Sequence, residues 1–250
     1  MDATELRRLA AEVDEEHREA MRSAEDDLGE ALLAPPARQG VDGRRAFLLG
    51  AGFGGATLSI AAATLSVPAL VHSAAAQSAT TTTAPPRRPQ GDDLALLAFA
   101  QSLELAAVAV YTLAAPKLTD ATVAKVAATF AQHHKEHASA LNGLAAKAAP
   151  GVPNAALVKK FTQALAAAKD QAAALKVAFD VENAAAATYQ AALGTLVGID
   201  GAALVASIQP IESRHAVVLG QVLGLNMADY LPTVQATSDA LDASAYPIEG

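Results

Sequence analysis

Glu212-Ser213-Arg214-His215-Ala216 is the stretch from which the fold can be read. It lies in an alanine- and valine-rich, helix-forming run. Residues three apart on a helix share a face, so the Glu212 carboxylate and the His215 imidazole point the same way. One Glu-x-x-His pair is a weak signal, because the spacing arises often by chance. Similar chemistry recurs upstream at one constant offset. Glu104 and Glu182, Tyr111 and Tyr189, His134 and Glu212, His137 and His215, and Leu141 and Leu219 are each 78 residues apart. Alanine matches mean little in so alanine-rich a chain; the Glu, Tyr and His matches carry the repeat. Two helix hairpins related by pseudo-two-fold symmetry follow from it. Each offers a Glu from its first helix and a pair three apart from its second.

The punctuation agrees with four long helices. Asp92 or Asp93 can cap a helix through 94–115 that stops at Pro116. Thr119 or Asp120 caps a second, ending before Pro150-Gly151-Val152-Pro153. Patterns over 154–168 and 169–196 are one bent helix or two, and a last helix covers 202–223. Residues 226–250, with Pro232 and Pro247, read as an irregular wrap. On the second helix Ala127, Phe130, His134, His137, Leu141 and Leu144 step by three and four, with His133 at the stripe's edge and Glu136 turned to solvent. Leu97, Glu104, Val108 and Tyr111 form the matching stripe on the first helix. Leu175, Glu182 and Tyr189 do so on the next, and Ile208, Glu212, His215 and Leu219 on the last. Three carboxylates and three imidazoles thus enter one small-residue core. Buried charged groups of this kind pair or bind metal, because an unpaired one costs many kcal/mol.

Composition narrows the classes. The chain has 250 residues, 52% hydrophobic and only 4% aromatic, and lacks Trp; this favours closely packed helices over sheet. With no Cys, disulfides, thiolate zinc sites and cysteine-held iron–sulfur clusters are excluded. The net charge of -8 is uneven: residues 1–43 carry -7, and residues 77–250 only -3. That last region has no basic stripe to meet nucleic acid.

Residues 1–43 read as a charged cytoplasmic extension, solvated and poorly ordered, although 4–23 can form a helix with Leu6, Leu9 and Val13 on one side. Arg44-Arg45-Ala46-Phe47-Leu48 opens an uncharged, glycine-bearing run that ends near the small residues Ala74-Ala75-Ala76. Paired arginines before Phe-Leu resemble the twin-arginine export signal. Residues 44–76 are therefore expected to be that signal peptide or a membrane anchor. As a helix, 46–71 would span about 39 Å, enough to cross a bilayer if left uncleaved. The twin-arginine translocase is the implied partner. The expected location is the periplasm or cell envelope, or the membrane with the bundle outside. Residues 77–90, with four Thr and three Pro, form a linker, and a folded domain occupies 91–225.

Over Leu94–Leu223 the pattern resembles the ferritin-like superfamily, with a closer likeness to bacterial exported ferritin-like proteins of the desiccation-related kind. The resemblance implies an all-α, ferritin-like four-helix bundle of two pseudo-symmetric hairpins, with an extra crossover helix and an irregular C-terminal tail. Its inward set is a Glu from each of two helices and a Glu-x-x-His from each of the others. Carried over, Glu104 and Glu182 are the single carboxylates, Glu212 with His215 the intact pair, and His137 the other histidine. His134 departs, standing where the second paired Glu belongs. An imidazole nitrogen binds one metal and does not bridge two as that carboxylate does. The expected site is mononuclear or an altered di-metal one, for iron or manganese, with zinc also compatible. Tyr111 and Tyr189 are expected to hydrogen-bond ligands, to act as redox partners or to pack as core aromatics, the last ahead of the redox role.

Two functions follow. One is an exported metal-dependent oxidoreductase that oxidises ferrous iron or reduces oxygen or peroxide at the envelope. The other is a non-catalytic bundle with a structural or stress-related binding role. A homodimer is left open, and a soluble storage cage fits poorly with the leader.

Overall fold

A computed structural model describes residues 1–33, 85–230 and 236–248. Residues 34–84, which contain the stretch expected to be an export signal or anchor and most of the expected linker, lie outside the described residues. Seven α-helices and no strand occur among the described residues: α1 Ala3–Leu33, α2 Asp92–Ala114, α3 Ala121–Ala145, α4 Ala155–Ala167, α5 Gln171–Leu193, α6 Ile199–Val222 and the single turn α7 Met227–Tyr230.

Helices α2 and α3 form one hairpin, α5 and α6 the other. Cross-contacts join α2 to α5 and α3 to α6, which closes a four-helix bundle. Alanines make the close approach possible: Ala106, Ala107, Ala174, Ala178, Ala185, Ala186 and Ala187 are all buried between helices. Helix α2 with its following turn is long and apolar enough to span a membrane, yet its most apolar window is 67% buried, as befits a core helix. Helix α4 packs on α2 and α5 and serves as the crossover between the hairpins.

Local signals explain the boundaries. Asp120 accepts hydrogen bonds from the Thr122 and Val123 amides and so caps α3. Asn154 and Asp170 cap α4 and α5 in the same way, so the ambiguous 154–196 pattern is two helices. Asp93 does not cap α2. Its carboxylate accepts from the Val197 and Gly198 amides at 3.0 and 2.6 Å, tying the start of α2 to the turn before α6. A Cβ at residue 198 would lie 2.8 Å from that carboxylate and 3.0 Å from the Pro89 Cα, so a side chain there would have to displace one of them. The end of the linker joins this knot. Arg87 pairs with buried Asp200, and the Pro86 and Arg87 carbonyls accept from the Ile199 and Asp200 amides. The C-terminal wrap fastens through the Asn154 side-chain amide, which donates to the Tyr246 carbonyl, and the Leu241 amide, which donates to Thr188. Pro210 sits inside α6.

Helix α1 overturns the expectation of a poorly ordered N-terminal extension. It packs along α3 and α6, on the opposite side of the bundle from α4. Its buried seam is Leu6, Ala10, Val13, His17, Met21 and Ala24, steps of four and three that keep one face on the bundle. Leu6, Ala10 and Val13 join Val123, Val126, Phe130 and Val218 in one apolar cluster. The charges that argued for solvation line the outer face, where Arg8 pairs with Glu5 and Glu12, and Arg18 with Asp14 and Glu15. High charge density on one face is compatible with a fully packed opposite face.

Candidate metal centre

The six residues singled out by the repeat converge. Glu104 comes from α2, His134 and His137 from α3, Glu182 from α5, and Glu212 and His215 from α6; all six are 0% exposed. The facing stripes hold except at Val108, which is half-buried while Val110 takes the interior place.

Two groups of four donors overlap in this core. Glu104, His134, His137 and Glu212 offer ligand atoms all within 4.8 Å of one another, and so do His134, Glu182, Glu212 and His215. His134 and Glu212 belong to both. A carboxylate has two oxygens with which to serve two neighbours, whereas a neutral imidazole offers one lone pair. His134 instead lies between the halves, its Nδ1 2.7 Å from Glu104 and its Nε2 3.2 Å from Glu182. His215 Nδ1 stands 3.2 Å from Glu182 and 3.7 Å from Glu212. His137 Nδ1 approaches Glu212 to 2.8 Å and Glu104 to 3.6 Å. The angles there are not those of a hydrogen bond: both Glu212 oxygens and both His137 nitrogens are buried without a hydrogen-bond partner. Such orphaned groups are costly unless something else satisfies them. Hard carboxylates beside imidazoles form a donor set suited to a divalent first-row metal.

The tyrosines exchange partners across the pseudo-two-fold. Tyr111 of the first hairpin donates to Glu182 of the second, and Tyr189 of the second donates to Glu104 of the first. Burial, then the adjacent carboxylate, pushes each phenol well above its ordinary range, so both keep their protons as donors. Burial opposes ionisation of Glu104, but the imidazoles of His137 and His134 outweigh it and hold the carboxyl down. Glu182 is held well below its usual range against burial by His134 and His215. The histidines respond in kind. Burial works against the imidazolium, yet the carboxylates raise His134 well above its ordinary value, His137 to about 9, and His215 upwards as well. Without metal, protonated histidines thus balance the buried carboxylates.

Two groups outside the repeat complete the surroundings. His133, at the edge of the α3 stripe, is 1% exposed and contacts His215 Nε2 through its Nδ1 at 2.9 Å. His17 of α1 is 0% exposed and stacks on His133 at 3.9 Å, with neither nitrogen hydrogen-bonded. Burial and the neighbouring imidazoles push His17 down to about 2. Burial pushes His133 down to about 3, with His215 adding to the effect. Both stay neutral. The sequence contained a signal for His17: it continues the spacing of Leu6, Ala10 and Val13. Glu136 is 44% exposed, in line with its outward register, though it lies 3.5 Å from His17 Nδ1. Arg214 points outward and pairs with Glu16 of α1 at 2.7 Å.

A family model for the ferritin-like domain matches residues 92–225, more than half of the chain. The protein belongs to that family, and its four-helix bundle is consistent with it. No curated protein and no solved structure matches the chain.

Proposed function

We propose that the protein is a ferritin-like metal protein of the twin-arginine-exported, desiccation-related kind. In this reading Glu104, His134, His137, Glu182, Glu212 and His215 hold iron or manganese. The observation that carries it is the pair of overlapping, wholly buried Glu/His groups, with Glu212 and His137 unpartnered inside them. A bound iron or manganese ion supplies one-electron redox chemistry between +2 and +3, suited to oxidising ferrous iron or reducing oxygen or peroxide. The chain's part is to exclude water, fix the donors and supply protonated tyrosines at Glu104 and Glu182. Metal analysis of the purified full chain after loading tests the reading. Stoichiometric iron or manganese that disappears in the Glu212→Ala, His215→Ala double variant supports it; a loaded chain free of metal overturns it.

A second reading has its own observation. His134 bridges Glu104 and Glu182 as an internal cation, which lets the bundle close without metal and serve a structural or stress-related binding role. It requires that chelator leave the melting temperature of the purified chain unchanged.

Export rests on Arg44-Arg45-Ala46-Phe47-Leu48 and the uncharged run that follows. Helix α1 and the bundle belong to one compact unit, whereas a single membrane crossing between them would put them on opposite sides. The two are reconciled if α1 docks on the folded bundle before translocation and parts from it afterwards. Protease protection of tags at each terminus tests this. Both termini on the cytoplasmic side would overturn the export reading.

A further inference from the structure

Helix α1 does more than cover apolar surface. Its Asp14 Oδ1 lies 3.1 Å from His133 Nε2, and His133 Nδ1 lies 2.9 Å from His215 Nε2. His215 Nδ1 in turn faces Glu182 Oε2 at 3.2 Å, inside the donor cluster. A continuous line of contacts therefore joins a carboxylate that is 41% exposed on α1 to the fully buried core. Arg18 occupies the other oxygen of Asp14 at 3.1 Å, which leaves Oδ1 to His133. The rings are held in plane from both ends: His17 stacks on His133 with 12° between planes, and Phe130 stacks on His215 with 25°.

We propose that Asp14, acting through His133, positions His215 as a metal ligand while α1 is docked on the bundle, so that the N-terminal helix is part of the metal centre when the folded chain takes up metal before translocation. The inference rests on the metal-binding reading above. For Nδ1 of His215 to offer its lone pair to a metal, the ring proton must sit on Nε2. That N–H then needs an acceptor, and His133 Nδ1 is the one in place. His133 must carry its own proton on Nε2, and Asp14 accepts it. A carboxylate can only accept, so it sets the direction of donation along the whole line. Metal-binding histidines are commonly held this way through their second nitrogen, and losing the outer partner weakens metal binding about 10–100-fold. Here the outer partner is a second histidine, and the carboxylate that orients it belongs to a helix outside the repeat. Asp14 and His133 are positioning residues; neither faces the donor cluster directly.

The test is cobalt(II) titration of the full-length chain, reading affinity and the visible absorption of the bound ion, with circular dichroism and melting as measures of folding. Asp14→Ala and Asp14→Asn are expected to weaken cobalt(II) binding about 10–100-fold and to shift its absorption, with helicity unchanged. Glu16→Gln loosens the neighbouring pair that Glu16, on the same helix as Asp14, makes with Arg214 of α6, and is expected to bind as wild type does, which separates positioning from docking. Wild-type-like affinity, within about twofold, in Asp14→Asn overturns the inference while leaving the metal reading intact; so does an equal loss in Glu16→Gln. Should Asp14→Ala fail to fold, Asp14→Asn, which conserves shape, decides. A wild-type chain that takes up no cobalt(II), iron or manganese overturns the metal reading and this inference together.

Discussion

Metal loading should expel protons, and the expulsion should set how tightly metal binds at each pH. A ligating imidazole must be neutral. In the metal-free core the carboxylates of Glu104 and Glu212 raise His137 to about 9 against the opposing effect of burial. At pH 7 that ring is two pH units below its midpoint, so freeing its lone pair costs about 2.7 kcal/mol, or about 100-fold in apparent affinity. His134 and His215 are raised too and add to the release where they ligate. Affinity should therefore climb at least tenfold per pH unit between 7 and about 9, then flatten. Tyr111 and Tyr189, pushed up rather than down, should contribute no protons. The sign for the metal-free fold is opposite. A raised histidine stabilises it fully below the unfolded value near 6.5 and loses that contribution as pH rises through about 9. The metal-free chain should thus melt lower in alkali while the loaded chain binds most tightly there. Calorimetric titration of manganese or cobalt(II) in buffers of different ionisation enthalpy counts the protons directly. Zero release at pH 7, with affinity flat from pH 6.5 to 9, would refute the charge balance described for this core.

Three further perturbations probe the same core. Glu182→Gln removes the charged partner of His134 and His215 and should destabilise the metal-free chain by about 3–5 kcal/mol in urea melts; a loss below about 1 kcal/mol would mean that the buried pairs carry little energy. His134→Glu supplies the missing fourth carboxylate. It should raise metal stoichiometry per chain by elemental analysis and lower metal-free stability by several kcal/mol, because a buried internal cation is replaced by a charge of the other sign. His17 is depressed to about 2 by burial and its imidazole neighbours, so the unfolded chain takes up its proton first as pH falls below 6.5. Stability should drop by up to about 1.4 kcal/mol per pH unit below that point. His17→Phe, which keeps the stack on His133, should remove much of that dependence between pH 6.5 and 5. An unchanged acid slope in the variant would show that His17 is already protonated in the fold.

The repeat at one offset places six Glu and His side chains and both tyrosines on inward faces, and all eight are buried in the core, because helical periodicity converts spacing into facing. Glu104 and Glu182 sit seven residues before Tyr111 and Tyr189, which puts each glutamate and its own tyrosine on one helix face. What spacing along one helix cannot contain is which helices lie across from it. The exchange of tyrosine partners, the lodging of His134 between Glu104 and Glu182, and the unpartnered state of Glu212 and His137 all come from distances between helices.

The N-terminal helix shows the same limit most clearly. Its acids and arginines dominate composition, and composition averages over faces; the apolar seam from Leu6 to Ala24 is narrow and is interrupted by His17. Nothing in residues 1–33 names the α3–α6 face as their partner, and nothing near His133 announces Asp14, which is 119 residues away. By itself the sequence determined an all-helical bundle with a Glu/His core, because a period of three and four residues selects one face and buried charge must be balanced. Only the tertiary structure decided that α1 closes over that core and delivers a carboxylate to it, because docking depends on the fit of two whole surfaces rather than on the pattern of either.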